Sequence, residues 1–250
     1  MQDKQSVYDK DGFFDLYQKL RSNPNSLNEI VEKPTMLGLV GDVSDKRILD
    51  LGCGCGEHLK LYLERGAAFV VGIDLSQAML QQAAKNLAEF RPHFLLEQTP
   101  MEHLERLNES NFDLITSSFS FHYVQDFPAL LAKIYAKLKP NGQLVFSQEH
   151  PIVTCYQGGE RWEKDAQKQQ IAYRLNFYRD EGERQRNWFK QPFTTYHRTT
   201  ATIINNLISA GFHIEQMAEP MLADQPQWQD EFKDLQHRPV LLFVKARKNT

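Results

Sequence analysis

RILDLGCGCGEH, Arg47 to His58, runs an apolar and acidic stretch straight into three glycines spaced two apart. "RILDL" predicts a buried strand, and "EHLKLYLERG" predicts a helix that stops at Gly66. Strand, glycine loop and helix in that order read as the first unit of a nucleotide-type fold. A dinucleotide site wants G-x-G-x-x-G, but the spacing here is Gly52-x-Gly54-x-Gly56. Asp50 precedes the first glycine by two residues, and Asp74 ends the next apolar run, "AFVVGIDL". A carboxylate at the end of that second strand can accept hydrogen bonds from ribose hydroxyls. An acidic residue just before the loop suits a ligand with an ammonium group better than one with phosphates.

The alternation continues outward from the loop. "SQAMLQQAAKNLAEF" is an amphipathic helix with Ser76 as N-cap. "HFLLEQ" and "FDLITSSF" are the third and fourth strands, "FPALLAKIYAKL" a helix halted by Pro140-Asn141-Gly142, and "GQLVFSQE" the fifth strand. Strands and helices at this spacing predict an α/β fold: a parallel sheet covered on both faces, with ligands beyond the carboxyl ends of the strands. Before the loop, residues 1–45 read as helical. Ser26 and Glu29 have capping-box spacing, and Pro34 would end that helix or open another.

Residues 151–197 break the pattern. Nine aromatics fall in the 41 residues from Tyr156 to Tyr196. "IAYRLNFY" and "RQRNWFK" around "RDEGE" predict a β-hairpin turning near Gly182, an inserted lid that would roof a pocket. "RTTATIINNLISAGF" is a helix with Ile203, Ile204, Leu207 and Ile208 inward and Gly211 as its C-terminal cap. "FHIEQMAE" and "PVLLFVKAR" are late strands, joined by a polar loop over 220–239 that holds Trp228.

Bulk properties narrow the function classes. The 250 residues suffice for one large domain and a sizeable core. Net charge is −3 and pI about 6.2, without the basic stripe of a nucleic-acid binder. No apolar stretch reaches membrane-spanning length, and the first residues lack a signal-peptide core. Three cysteines are too few for a disulfide framework and suit a reducing, cytoplasmic setting. Cys53, Cys55 and His58 lack the second ligand pair that a structural zinc needs, so no metal site is expected.

Taken together, "ILDLGCGCG", the acidic end of the second strand and "FDLITSSFSFHYV" resemble class I S-adenosylmethionine-dependent methyltransferases, and most closely their type 11, small-molecule branch. "NEIVEKPTM", "SQEHP" and "YHRTTATIINNLISAGF" extend the likeness over most of the chain. The resemblance implies a Rossmann-like, doubly wound seven-stranded sheet whose last strand is antiparallel. It divides the chain into an N-terminal helical cap (1–45), a cofactor-binding core (46–150), the aromatic lid (151–197) and a C-terminal part (198–250) completing the same sheet. It implies that Gly52, Gly54 and Gly56, with Cys53, cradle the methionine part of S-adenosylmethionine while Asp50 organises the loop. Asp74 would bind the ribose hydroxyls beside Leu75, Ser76 and Met79. Pro100, Met101 and Glu102 would lie against the adenine, and Ser117 and Ser118 beneath the cofactor. S-adenosylhomocysteine would be the product.

His150 and His122 are candidate bases because they follow strands five and four, with Tyr196 and His197 behind them; taken alone, each histidine reads first as packing or capping, and the place of the cleft is what adds the functional reading. Tyr8, Phe13 and Phe121 are candidate aromatic faces for a sulfonium. The expected reaction is methyl transfer to a small-molecule acceptor by in-line displacement. A non-catalytic protein that binds the same cofactor and a nicotinamide-dependent oxidoreductase are the alternatives; the glycine spacing disfavours the second.

Overall fold

The computed structural model describes residues 9, 14, 18, 19, 21–188, 191–221 and 232–249. Tyr8, Phe13 and Trp228 lie outside the described residues. A π-helical turn, Asn28–Glu32, opens into α1 (Lys33–Val40). Five strands follow: β1 (Arg47–Leu51), β2 (Phe69–Asp74), β3 (Phe94–Gln98), β4 (Phe112–Ser117) and β5 (Leu138–Glu149). Between them come α2 (Glu57–Glu64), α3 (Gln77–Asn86) and α4 (Phe127–Lys137), with the four-residue α5 (Pro151–Thr154) after β5. Two antiparallel hairpins are next, β6 (Trp162–Lys164) with β7 (Gln170–Tyr173) and β8 (Gly182–Trp188) with β9 (Gln191–His197). The chain ends with α6 (Thr200–Ser209), β10 (Phe212–Ala218) and β11 (Leu241–Lys248).

The main sheet has seven strands in the order β10-β11-β5-β4-β1-β2-β3. β1 to β5 pair in parallel, and β11 runs antiparallel to both β5 and β10. Strand order reverses between β1 and β4, so the loops leaving these two strands open on a common crevice. Neighbouring strand residues face opposite layers. Leu49, Ile115 and Phe146 pack with Leu131 of α4 and Leu207 of α6 on one side. Ile48, Leu114 and Val145 pack with Met36 of α1 and Tyr62 of α2 on the other. The alternation expected from the sequence is therefore a three-layer fold with both sheet faces buried.

Three local expectations are corrected. The hairpin with a turn near Gly182 does not form: Gly182 begins β8 and pairs with His197, and "IAYR" pairs backward with "WEK" instead. Aromatic and β-branched content marked strands here, but not which runs would partner. Ile208 is 57% exposed, because only Ile203 and Leu207 of α6 point fully at the sheet. At the start of the chain Ser26 Oγ accepts the Glu29 N–H at 3.3 Å, but the Glu29 carboxylate turns to Lys33 at 2.6 Å rather than back to the cap. Pro34 sits in the first turn of α1, where its missing N–H costs no hydrogen bond.

Candidate active site

The glycine loop closes on itself through the second strand. Gly52, Gly54 and Gly56 have φ of 72°, 53° and 76°, a region that side-chain-bearing residues avoid. A Cβ on Gly52 would meet Ser120 Cβ at 3.0 Å, whereas one on Gly54 would meet nothing within 4 Å and would project into open space. Beneath the loop, Gly72 of β2 lets Cys53 Sγ and Leu59 pack onto bare backbone, since a Cβ there would lie 2.8 and 2.5 Å from them. Cys53 is thus a filler of this close contact.

Asp74 holds the loop in place. Its Oδ2 accepts the Gly54 N–H at 2.9 Å and its Oδ1 the Ser76 N–H at 2.8 Å. Each oxygen keeps a lone pair for a further donor. Burial pushes the carboxyl up to about 6, against the pull of those two N–H groups. Ser76 caps α3 by accepting the Met79 N–H at 3.2 Å, and its hydroxyl donates to Asp9. Asp50 is buried under the loop, accepts from Thr116 Oγ1 at 2.8 Å and is raised by that burial.

A cavity of about 700 Å³ lies over the carboxyl ends of β1 and β4. Asp50, Gly52, Cys53, Gly54 and Ser118 form one wall, and Phe119, His122 and Tyr123 the next. Glu149 at the end of β5 and Arg186, Asn187, Trp188 and Phe193 of the β8–β9 hairpin face them. The Arg186 guanidinium bonds the Glu149 carboxylate and lies 5.8 Å from the Phe193 ring centroid, which ties the hairpin to the sheet.

The sequence-predicted residues divide sharply by position. His122 lines the cavity, is 3% exposed, and has no hydrogen-bond partner at Nδ1. Burial pushes it down to about 4; Glu149 opposes the shift, while Arg186 and Arg198 add to it. His150 and His197 face elsewhere. His150 Nδ1 accepts the Ile152 N–H at 3.1 Å as the cap of α5, and Nε2 meets Glu219 at 2.8 Å. His197 Nε2 donates to the Tyr178 carbonyl at 2.9 Å and Nδ1 accepts from Thr154 at 2.8 Å. Both imidazoles spend both nitrogens on the scaffold, and neither they nor Tyr196 line the cavity. Phe121 is fully buried against Phe127 and Phe146. Gly56, Asp74, Leu75, Ser76, Met79, Pro100, Met101, Glu102 and Ser117 also lie outside the cavity lining, Ser117 donating to the Leu51 carbonyl at 2.9 Å.

Two contributors were not picked out from the sequence as site residues. Glu32, at the end of the π-helical turn, is 1% exposed and accepts from Ser118 Oγ and Ser147 Oγ. His58, in the first turn of α2, lines the cavity with its Nε2 unpartnered. A glutamate beside a proline-led helix carries no spacing signal, and His58 reads from the sequence only as a metal ligand to be weighed with Cys53 and Cys55. Among the described residues, no group of three or more His, Cys, Asp or Glu side chains could hold a metal ion.

Residues 48–142 match the family model described as a methyltransferase domain. An S-adenosylmethionine-dependent methyltransferase from Mesorhizobium loti superposes with a TM-score of 0.79 at 33% identity, covering 89% of this chain and all of that one. The chain belongs to the S-adenosylmethionine-dependent methyltransferases. Over 99% of both chains, the methyltransferase is also 67% identical to an uncharacterized protein of Haemophilus influenzae. A ubiquinone biosynthesis O-methyltransferase of Pasteurella multocida shares 34% identity over 57% of this chain and 59% of its own. S-adenosylmethionine is the cofactor, and the site suits it. The open Cβ position of Gly54 leaves room for a ligand against the loop, and Asp74 has acceptor capacity to spare.

Proposed function

We propose that this enzyme methylates a small-molecule acceptor held in the cavity between the glycine loop and the β8–β9 hairpin. The observation that carries this reading is one continuous cavity lined by the glycine loop on one side and by an aromatic, Arg186-bearing hairpin on the other. Gly52, Cys53 and Gly54 would hold the amino-acid end of the cofactor, and Asp74 the ribose hydroxyls. Pro100, Met101 and Glu102 would take the adenine side. When bound, S-adenosylmethionine supplies a methyl group on a sulfonium centre.

The protein's own task is to hold a nucleophile in line with that methyl group, roughly 3–3.5 Å away, with water excluded. Phe119, Tyr123, Trp188 and Phe193 supply an apolar wall for that purpose. His122 is neutral at ordinary pH and offers an acceptor nitrogen to the proton of the acceptor's hydroxyl or amine. Its low pKa makes it a weak base, so it suits a proton shared during transfer rather than one removed beforehand. His150, Tyr196 and His197 are then structural, each outside the cavity lining.

The division into helical cap, core, lid and C-terminal completion fits this reading, since residues 198–250 supply β10 and β11 to the same sheet. No helix among the described residues is long and apolar enough to cross a membrane. Free Cys53, Cys55 and Cys155 support a reducing, cytoplasmic setting. The acidic balance supports a partner other than nucleic acid.

Calorimetric titration with S-adenosylhomocysteine, with NAD as control, tests the cofactor half. Binding should be abolished in Asp74→Ala, and preference for NAD would sink the reading. A screen for S-adenosylhomocysteine release over candidate acceptors tests the catalytic half. Cofactor binding without turnover on any acceptor would favour a non-catalytic binding protein.

A further inference from the structure

The floor of the glycine loop is more polar than loop geometry requires. His58 is 5% exposed, borders the cavity, and has no hydrogen-bond partner at Nε2. Leaving a buried polar nitrogen unpaired is costly, so a histidine of purely structural use would be satisfied, as His150 and His197 are. Glu32 Oε2 lies 3.8 Å from that nitrogen, too far for a hydrogen bond. The other oxygen of Glu32 already accepts from Ser118 at 2.7 Å and Ser147 at 2.6 Å. Asp50, buried under the same loop, is electrostatically coupled to both residues. An unpartnered imidazole nitrogen therefore stands at the edge of an open cavity, beside a buried carboxylate, with room for a donor from a ligand.

The π-helical turn explains how Glu32 gets there. The Lys33 N–H bonds back to the Asn28 carbonyl, five residues earlier, which widens the turn before α1 begins. Such turns cluster at functional sites. Glu32 then reaches across to the ends of β4 and β5 through the two serines.

We propose that His58, backed by Glu32, receives the α-amino group at the amino-acid end of the cofactor. This rests on the reading that the glycine loop cradles that end. His58 is the binding residue. Glu32 is a positioning residue that acts through His58 and through Ser118.

The test compares two ligands by calorimetry: S-adenosylhomocysteine and its deamino analogue, which keeps the carboxylate and lacks the amine. The variants are His58→Leu, which keeps volume in the loop floor, and Glu32→Gln, which keeps an acceptor for both serines. His58→Leu should weaken S-adenosylhomocysteine binding by at least about tenfold and leave the deamino analogue within about twofold of wild type. Glu32→Gln should weaken the same ligand to a smaller degree, with its melting temperature retained. Equal loss of both ligands in His58→Leu, or loss of neither, overturns the proposal. A wild type that binds neither ligand overturns the cofactor reading and this inference with it. Should His58→Leu not fold, Glu32→Gln carries the same comparison.

Discussion

Asp74 holds the glycine loop from a half-buried position, and His122 sits more deeply on the acceptor side. Their titrations act on stability in opposite directions. Asp74, pushed up to about 6, keeps a proton in the folded chain that an unfolded aspartate releases near 4. The folded state therefore binds more protons across that window, and stability falls as pH rises through it. His122, pushed down to about 4, stays neutral while an unfolded histidine gains a proton below 6.5. Its contribution is lost as pH falls from 6.5 to 4. Each window spans roughly two pH units, so each limb is worth at most about 3 kcal/mol. The two windows overlap, so the effects largely offset in the wild type; urea unfolding of the apoprotein at pH 4.5, 5.5 and 7 should show stability rising with pH in Asp74→Asn and falling with pH in His122→Asn. Unchanged pH profiles in both variants would mean these groups are better solvated than the structure shows. Asp74 was legible because a carboxylate must end the second strand. His122 was legible by its place after the fourth, but only packing separated it from His150 and His197.

Among the elements, the β8–β9 hairpin decides what shares the cavity with the cofactor. Arg186 anchors it to Glu149 on β5 and lies over Phe193. An exposed ion pair would be worth little, but this one is largely buried on both sides. Arg186→Ala should loosen the hairpin, raise KM for an acceptor about tenfold or more, and leave S-adenosylhomocysteine affinity near wild type. Steady-state kinetics beside calorimetry separates the two. Loss of cofactor affinity instead would show that the hairpin belongs to the cofactor site. Composition marked this region as aromatic and strand-forming. Which strands would pair was not legible, because β-pairing depends on partners elsewhere in the chain.

On the scale of the whole molecule, the last strand joins the edge strand β10 to the parallel part of the sheet. β11 pairs with both β5 and β10 and buries Leu242, Phe243, Val244 and Ala246 on alternate faces. Phe243 is fully buried against Leu241, Val145 and Met36 in the layer beneath α1. Phe243→Ala should cost about 3–5 kcal/mol and lower the melting temperature by roughly 6–20 °C, with cofactor affinity retained below the transition. A drop of only a degree or two would mean that this layer repacks freely.

The sequence by itself determined the α/β alternation, the glycine cradle, Asp50 and Asp74, because these depend on local period and on short spacings that backbone geometry imposes. The seven-stranded sheet with an antiparallel last strand followed from a likeness carried by the same short motifs. Only the tertiary structure decided which histidine faces the cavity, how the aromatic segment divides into hairpins, and that Glu32 and His58 meet beneath the loop. Those outcomes depend on contacts between residues far apart in the chain, as with Glu32, Ser118 and Ser147. A side chain's use there is set by which donors and acceptors the packed fold leaves it, and no local pattern records that.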